Sequence, residues 1–244
     1  MTGPIDVSAI IPTFNRRDLV VRAIESVLAQ TRRVDEIVVV DDGSTDGTEA
    51  LLRHVYGDRL HYVWQPNAGV SAARNHGMSI AQGRYFALLD SDDEWLPEKT
   101  ALQFDWLQAR PDFGLVVCDV TRVDDQHRET DVFRRREVIR EDGWVLRWIL
   151  RNPALVPASV MMRREVYEDV GGFDVSLRTA EDIDFHLRAA KCWRIGVIEQ
   201  PLVRAMRGHD GLSALPHTYD DYLQVMEGAI AEAHGVVDET ERLQ

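Results

Sequence analysis

Apolar and polar positions along the first hundred residues fall into alternating blocks of two kinds. Val7-Ser8-Ala9-Ile10-Ile11 is a short, mostly apolar run that stops at Pro12, which predicts a buried strand. Ile37-Val38-Val39-Val40 is β-branched and unbroken, and Tyr85-Phe86-Ala87-Leu88-Leu89 is apolar throughout, so both predict central strands. Between them, Val20, Ala23, Ile24, Val27 and Leu28 recur at helical spacing within Asp18 to Gln30, and Asn15 is placed to cap that helix. Thr45 to His54 and Ser71 to Ala81 predict two more helices, the second ended by Gly83, with a strand from His61 to Trp64. Pro97 marks the start of another helix. Strands alternating with helices imply a mostly parallel sheet covered on both faces.

After about residue 110 the pattern loosens. Phe113 to Val120 predicts a strand, and Arg122 to Arg140 is highly charged with little periodicity. Trp144 to Leu150 and Glu181 to Ala190 predict helices, Ser159 to Met162 a short strand, and Pro201 to Met206 an extended segment. Tyr219 to Ala233 predicts a terminal helix. No repeat, low-complexity tract or Gly/Ser linker divides the chain. Two lobes sharing one body are therefore expected rather than separable domains: residues 1–110, 111–215, and a helix and tail over 216–244.

Charge and composition narrow the chemistry. Of 244 residues, 28 are Lys or Arg and 41 are Asp or Glu, a formal net charge of −13. That balance opposes nucleic-acid binding, where phosphate contacts dominate affinity. The two cysteines, Cys118 and Cys192, have no metal-type spacing and form no disulfide framework, which fits a reducing compartment. No basic segment followed by a long apolar run opens the chain, and no apolar stretch reaches the roughly 18 residues of a membrane span. A cytoplasmic protein is expected.

Two of the buried strands end in acids, at Asp41-Asp42 and at Asp90-Ser91-Asp92-Asp93. In open α/β sheets ligands bind beyond the carboxyl ends of the strands. Carboxylates converging there repel one another unless a cation sits among them, and oxygen-only ligands suit Mg²⁺ or Mn²⁺ held together with substrate phosphates. Ordinary acidic turns and caps would account for one such cluster; two at neighbouring strand ends favour a metal–diphosphate site. Asp42, Ser44, Asp46 and Gly47 imitate an EF-hand loop, but Arg53 stands where that loop needs a bidentate Glu. No Gly-rich dinucleotide fingerprint, P-loop, His-Glu-x-x-His or Gly-x-Ser-x-Gly is present.

The same residues carry a resemblance. Val7–Arg16 (VSAIIPTFNR), Ile37–Thr48 (IVVVDDGSTDGT), Asn67–Gly83 (NAGVSAARNHGMSIAQG) and Tyr85–Asp93 (YFALLDSDD) resemble the inverting glycosyltransferases of family two, which have the GT-A fold. The likeness continues through Gly171-Gly172-Phe173-Asp174, Glu181-Asp182-Ile183-Asp184-Phe185 and Arg207-Gly208-His209, and so spans residues 5 to about 213. It implies an α/β, GT-A type fold, with a mostly parallel Rossmann-like sheet flanked by helices and a contiguous acceptor-binding lobe. It also implies transfer of a sugar, UDP-linked, from a nucleotide-diphosphate donor to a hydroxyl of a saccharide or glycolipid, in cell-surface glycan assembly. Mn²⁺ or Mg²⁺ would be the cofactor, and peripheral contact with the inner face of a membrane is compatible with such an acceptor.

By the same resemblance, Pro12, Thr13 and Phe14 would line the base and ribose pocket, and Asp42 would accept from the imide of the base. Arg74 would lie near the base or diphosphate, where its fixed fork suits phosphate. Asp90, Ser91 and Asp92 form the Asp-x-Asp motif, with Asp92 the direct metal ligand, Asp90 on ribose or a metal-bound water, and Asp93 behind them. His209 resembles a late histidine that touches metal or diphosphate. Asp182 would be the general base that takes the acceptor proton; spacing alone does not separate it from Glu181 and Asp184, which also suit the start of a helix. Arg134-Arg135-Arg136 and Arg140 form either a solvated face or an attraction for an anionic acceptor. Trp144, Trp148 and Trp193 either stack on sugars or pack in the core. Three rival functions stay open: a polyprenyl-phosphate glycosyltransferase, a non-catalytic nucleotide-sugar-binding relative, and a phosphatase using the strand-end acids.

Overall fold

The computed structural model describes residues 5–124, 126–133, 143–151, 155–206 and 218–242, the last helix with side chains as far as residue 232. Their order is β1 (Val7–Thr13), α1 (Arg17–Leu28), β2 (Glu36–Asp41), α2 (Thr48–Tyr56), β3 (His61–Trp64), α3 (Val70–Ile80), β4 (Tyr85–Leu88), β5 (Glu94–Trp95) and α4 (Lys99–Gln108). There follow β6 (Phe113–Val123), β7 (Glu129–Phe133), α5 (Leu146–Ile149), β8 (Met161–Arg163), α6 (Arg164–Val170), α7 (Glu181–Cys192), β9 (Arg194–Met206) and α8 (Thr218–Arg242). One mixed sheet holds all the strands described, in the order β3-β2-β1-β4-β8-β6-β9-β5, with β7 paired to β6.

The parallel character expected from the apolar runs holds through β3-β2-β1-β4. Beyond β4 the sheet turns mixed, because β8 enters antiparallel between β4 and β6 while β9 runs parallel to β6. The runs at β1, β2 and β4 are unbroken because both faces of those strands are covered. Ile11, Val39 and Ala87 pack with α1 and α2 residues on one side, and Ile10, Val38, Val40 and Leu88 pack with Ala73 and Met78 of α3 on the other. Helix α3 lies close against the sheet because Gly77 leaves room: a Cβ there would stand 2.6 Å from Ile10 Cγ2. That close approach fixes where Arg74, one turn earlier, can point.

The start of α1 differs from the sequence expectation. The helix begins at Arg17, and Asn15, with φ 50°, turns its side chain away to accept from the Thr45 N–H at 2.8 Å. The cap comes from a neighbouring loop instead: Asp46 Oδ2 accepts from the Arg17 N–H at 3.0 Å, and its Oδ1 accepts from Thr48 N and Thr48 Oγ1 at the start of α2. One carboxylate therefore satisfies the open amides of two helices. Those hydrogen bonds hold its pKa down against the opposing effect of partial burial. The result ties the β1–α1 and β2–α2 loops together at the carboxyl edge of the sheet, where the strand-end acids are. No helix among the described residues is long and apolar enough to cross a membrane.

Candidate active site

Three strand ends are laced side by side at this edge. The Asp42 N–H donates to Thr13 O at 2.8 Å, and the Gln65 N–H donates to Asp41 O at 2.9 Å, so β1, β2 and β3 finish in register. Asp41 is fully buried and structural: its carboxylate accepts from Ser44 N and from the Tyr62 hydroxyl at 2.6 Å. Burial and that carboxylate together push the Tyr62 phenol well above its usual range. The Asp42 side chain points the other way and clasps the loop before α3. Its Oδ1 accepts from Gln65 Nε2 at 2.7 Å and Ala68 N at 2.9 Å, and its Oδ2 from Gly69 N at 2.8 Å. A carboxylate has about four acceptor directions. Three are filled, leaving Oδ2 able to accept once more.

Around Asp42 lie the residues expected to line a base pocket. Pro12 and Thr13 are buried, and Thr13 Oγ1 has no hydrogen-bond partner among the described residues; Phe14 is 46% exposed. Gln65 is itself held by His76 Nδ1 at 2.7 Å, a support that no motif in the sequence announces.

The second acid cluster follows β4. A turn closed by Asp93 N–H to Asp90 O at 3.0 Å presents Asp90 and Asp92 half-buried toward the crevice, with Ser91 and Asp93 turned inward. Burial and the neighbouring Asp90 charge raise the pKa of Asp92. Asp93 is pushed much further up by deeper burial, with Asp90 and Asp92 beside it. Asp93 accepts from the Met206 N–H at 3.0 Å, which ties the end of β9 to this turn. His209, like Arg134-Arg135-Arg136 and Arg140, lies outside the described residues.

Arg74 joins this cluster to the helix that carries the expected base. Only 3% exposed, it donates from Nη2 to Asp90 Oδ1 at 2.6 Å and from Nη1 to Glu181 Oε1 at 2.7 Å. Burial works against its charge, but the two carboxylates outweigh that and raise its pKa. The fork that sequence reading aimed at phosphate is thus spread between two acids 91 residues apart in the chain, Asp90 and Glu181. Asn75 adds a second link, pairing with both Phe173 N and Phe173 O at 2.7 and 2.8 Å. Phe173 in turn stacks on Phe185 of α7, with ring centroids 4.6 Å apart.

Three acids begin α7, and their surroundings separate them. Glu181 is taken by Arg74, and Asp184 is paired with Arg188 at 2.6 Å. Asp182 forms no ion pair among the described residues, though the Arg74 charge reaches it; its Oδ1 accepts from the Ile183 N–H at 2.8 Å. Burial first, and the Glu181 charge next, push the Asp182 pKa up to about 7. The residue before the helix, Ala180, sits at φ 60°, ψ 13°, a left-handed conformation uncommon outside Gly, Asn and Asp. It is held there by Thr179, whose N–H and hydroxyl both donate to Asp221 Oδ2 of α8, at 3.1 and 2.7 Å. Strain at the entry to an acidic helix facing a crevice is the kind that active sites retain.

Two carboxylates, Asp90 and Asp92, face the crevice at the strand end, and no cluster of three or more metal-type ligands exists among the described residues. That donor set fits a Mg²⁺- or Mn²⁺-type ion whose remaining ligands come from a diphosphate and water, and does not fit an ion caged by protein alone.

Residues 8–171 match the model of the family described as Glycosyl transferase family 2. The chain belongs to that family. Within it, an uncharacterized glycosyltransferase of Rickettsia conorii is 31% identical over 217 residues, covering 82% of this chain and 33% of the relative. The UDP-Glc:alpha-D-GlcNAc-diphosphoundecaprenol beta-1,3-glucosyltransferase WfaP of Escherichia coli is 36% identical over 108 residues, 44% of this chain and 43% of the relative. The chain therefore spans less than half the length of either. Among solved structures, residues 1–349 of S. aureus TarS in complex with UDP superpose with a TM-score of 0.73 at 22% identity, over 92% of this chain and 65% of that one. This likeness establishes the shared GT-A fold for the family member described here.

Proposed function

We propose that this chain transfers a sugar from a nucleoside-diphosphate donor, UDP-linked, to an acceptor hydroxyl with inversion at the anomeric carbon, in the assembly of a cell-surface glycan. The observation that carries the reading is Asp182, the acid at the start of α7 that forms no ion pair among the described residues, beside a donor-side turn bearing Asp90 and Asp92. The acceptor oxygen attacks the anomeric carbon opposite the departing diphosphate; its proton passes to Asp182, and the bond to the diphosphate oxygen breaks. Arg74 and Glu181 hold the base helix against Asp90, so donor and base share one support. Asp92, with Asp90 beside it, would hold Mn²⁺ or Mg²⁺, which supplies charge stabilisation for the leaving group. His209 would complete this side. The open acceptor direction of Asp42 Oδ2 suits the imide of uracil, and Pro12, Thr13, Phe14 and Ser91 border the donor.

Relatives support the donor and glycan parts of this reading: WfaP is named for a UDP-glucose donor, and the TarS structure contains UDP. The acceptor named for WfaP is a diphosphoundecaprenol-linked sugar, which favours a lipid-linked acceptor here too, reached at the membrane surface. A half-buried Asp182 outside any ion pair among the described residues favours catalysis over binding alone.

Thermal unfolding with UDP, dTDP, GDP, CDP or no nucleotide, each with Mn²⁺, Mg²⁺ or chelator, tests the donor site. A ligand at a hundred times its dissociation constant adds about 2.7 kcal/mol of stability. A metal-dependent shift with UDP is expected. A shift with GDP or dTDP alone overturns the donor, and no shift with any nucleotide overturns the transferase reading.

A further inference from the structure

Each of the two crevice-facing acids has one arginine, and the two arginines are held very differently. Arg74 is buried and fixed through both terminal nitrogens, to Asp90 and Glu181. Arg16, between the end of β1 and the start of α1, reaches across to the β4 turn with Nη1 alone and meets Asp92 Oδ2 at 2.9 Å. Its side chain and that of Asp92 are both about a quarter exposed, at 29% and 26%. No other polar partner holds the Arg16 side chain among the described residues. Held through one nitrogen at a partly exposed position, this pair is less fixed than the buried two-point contact of Arg74. It also lies on the carboxylate assigned to the cation, so Arg16 and a divalent ion compete for Asp92.

We infer that Arg16 is an exchangeable counter-ion: it neutralises Asp92 in the empty site and, when a nucleoside diphosphate arrives with its divalent cation, gives up Asp92 and turns its guanidinium to the diphosphate. This rests on the donor-site reading above and adds to it a positioning residue. The charges support the exchange. Asp90, Asp92, Glu181 and Asp182 lie close together, and among the described residues Arg16 and Arg74 are the cations paired with this group. A cation must stand at Asp92 in either state, while the incoming diphosphate needs a cation of its own. A guanidinium fork that is free to move satisfies both in turn.

The test compares wild type with Arg16→Met, which keeps the aliphatic stem, and Arg17→Met, which removes the same charge one residue away, where Arg17 contacts the exposed Asp18. Binding of Mn²⁺ alone and of UDP with saturating Mn²⁺ is measured by calorimetry, and Mn²⁺ also by electron paramagnetic resonance, with melting temperature checking the fold. Arg16→Met is expected to bind Mn²⁺ about 3- to 10-fold more tightly and Mn²⁺–UDP about tenfold more weakly, opposite shifts from one substitution, while Arg17→Met moves each less than about twofold. Equal shifts in both variants would reduce Arg16 to its through-space charge and overturn the exchange, as would unchanged affinities or a same-direction change in Arg16→Met. Failure of wild type to bind Mn²⁺–UDP would instead refute the donor site itself.

Discussion

Asp182 is unusual among the acids of this crevice because burial and the neighbouring Glu181 charge outweigh what favours its ionised form, the Arg74 charge and the hydrogen bond from the Ile183 N–H. With its carboxyl pushed up to about 7 in the folded protein and near 3.9 when unfolded, the native state binds a proton that the unfolded chain releases between those values. Stability attributable to this group is therefore greatest at acid pH and is lost as pH rises from about 4 to 7. Asp182→Asn removes the loss. At pH 8 the variant should be more stable than wild type, by on the order of 1–3 kcal/mol in urea unfolding, with a flatter stability profile between pH 5 and 8. A variant less stable than wild type at pH 8 would show that Asp182 is not strained by its surroundings. Transfer itself should rise with pH through about 7 as the base ionises.

Glu181 makes the complementary case. Arg74 is buried, and removing the charge of one of its two partners leaves it poorly compensated. Glu181→Gln should cost about 2 kcal/mol of stability, whereas Asp184→Asn, at an exposed-side pair, should cost less than about 1 kcal/mol in the same urea titration. Equal costs would mean that the Arg74 strut carries no particular weight. The sequence shows Arg74, Asp90 and the three acids of α7 as candidates but not which pair forms, because the Arg74–Glu181 contact joins residues 107 apart. Distance in sequence also hides Arg16 on Asp92, 76 residues away, whereas His76 behind Gln65 is only 11 residues off and is hidden because no motif pairs them.

Among elements, those buried on both faces were the readable ones. The uninterrupted apolar runs mark β1, β2 and β4, and helical spacing marks α1, α3 and α7. The second half was harder for identifiable reasons. Strand β7 is largely exposed and lies in the charged stretch, so no alternation marks it. Strand β9 begins at Arg194 rather than near Pro201, because register shifts opposite Asp119 accommodate the proline inside a longer strand. Helix α6, over Arg164–Val170, is too short and too charged to show a period. What positions Asp182 is likewise tertiary: Asp221 in α8 fixes Thr179, and through it Ala180 and the first turn of α7. Asp221→Ala should free that junction, and native-state hydrogen exchange should show amides 179–183 losing protection by roughly tenfold, about 1.4 kcal/mol of local stability. Unchanged protection there would place the restraint elsewhere.

For the whole molecule, one sheet brings the two halves of the chain to a common edge. The parallel strands β1, β2 and β3 end at Thr13, Asp41 and Trp64, around Asp42; β4 ends at Leu88, just before Asp90; and β9 is tied back to the β4 turn through Met206 and Asp93. Loops laced by Asp46, Asp42 and Asn75 let side chains from distant elements meet without a linker between lobes. The motifs VVVDDGS, ARN, DSDD and EDID thus have physical counterparts: a clasp, a strut, an acidic turn and an acidic helix start. We propose that this arrangement performs transfer with Asp182 as the base. The most direct measurement assays wild type and Asp182→Asn for labelled sugar moving from UDP-sugars onto a lipid-linked acceptor pool, with Mn²⁺–UDP affinity measured on the same samples. Loss of transfer by about a thousandfold or more, with UDP affinity held within about threefold, is the predicted result. Transfer at the wild-type rate by Asp182→Asn would contradict it.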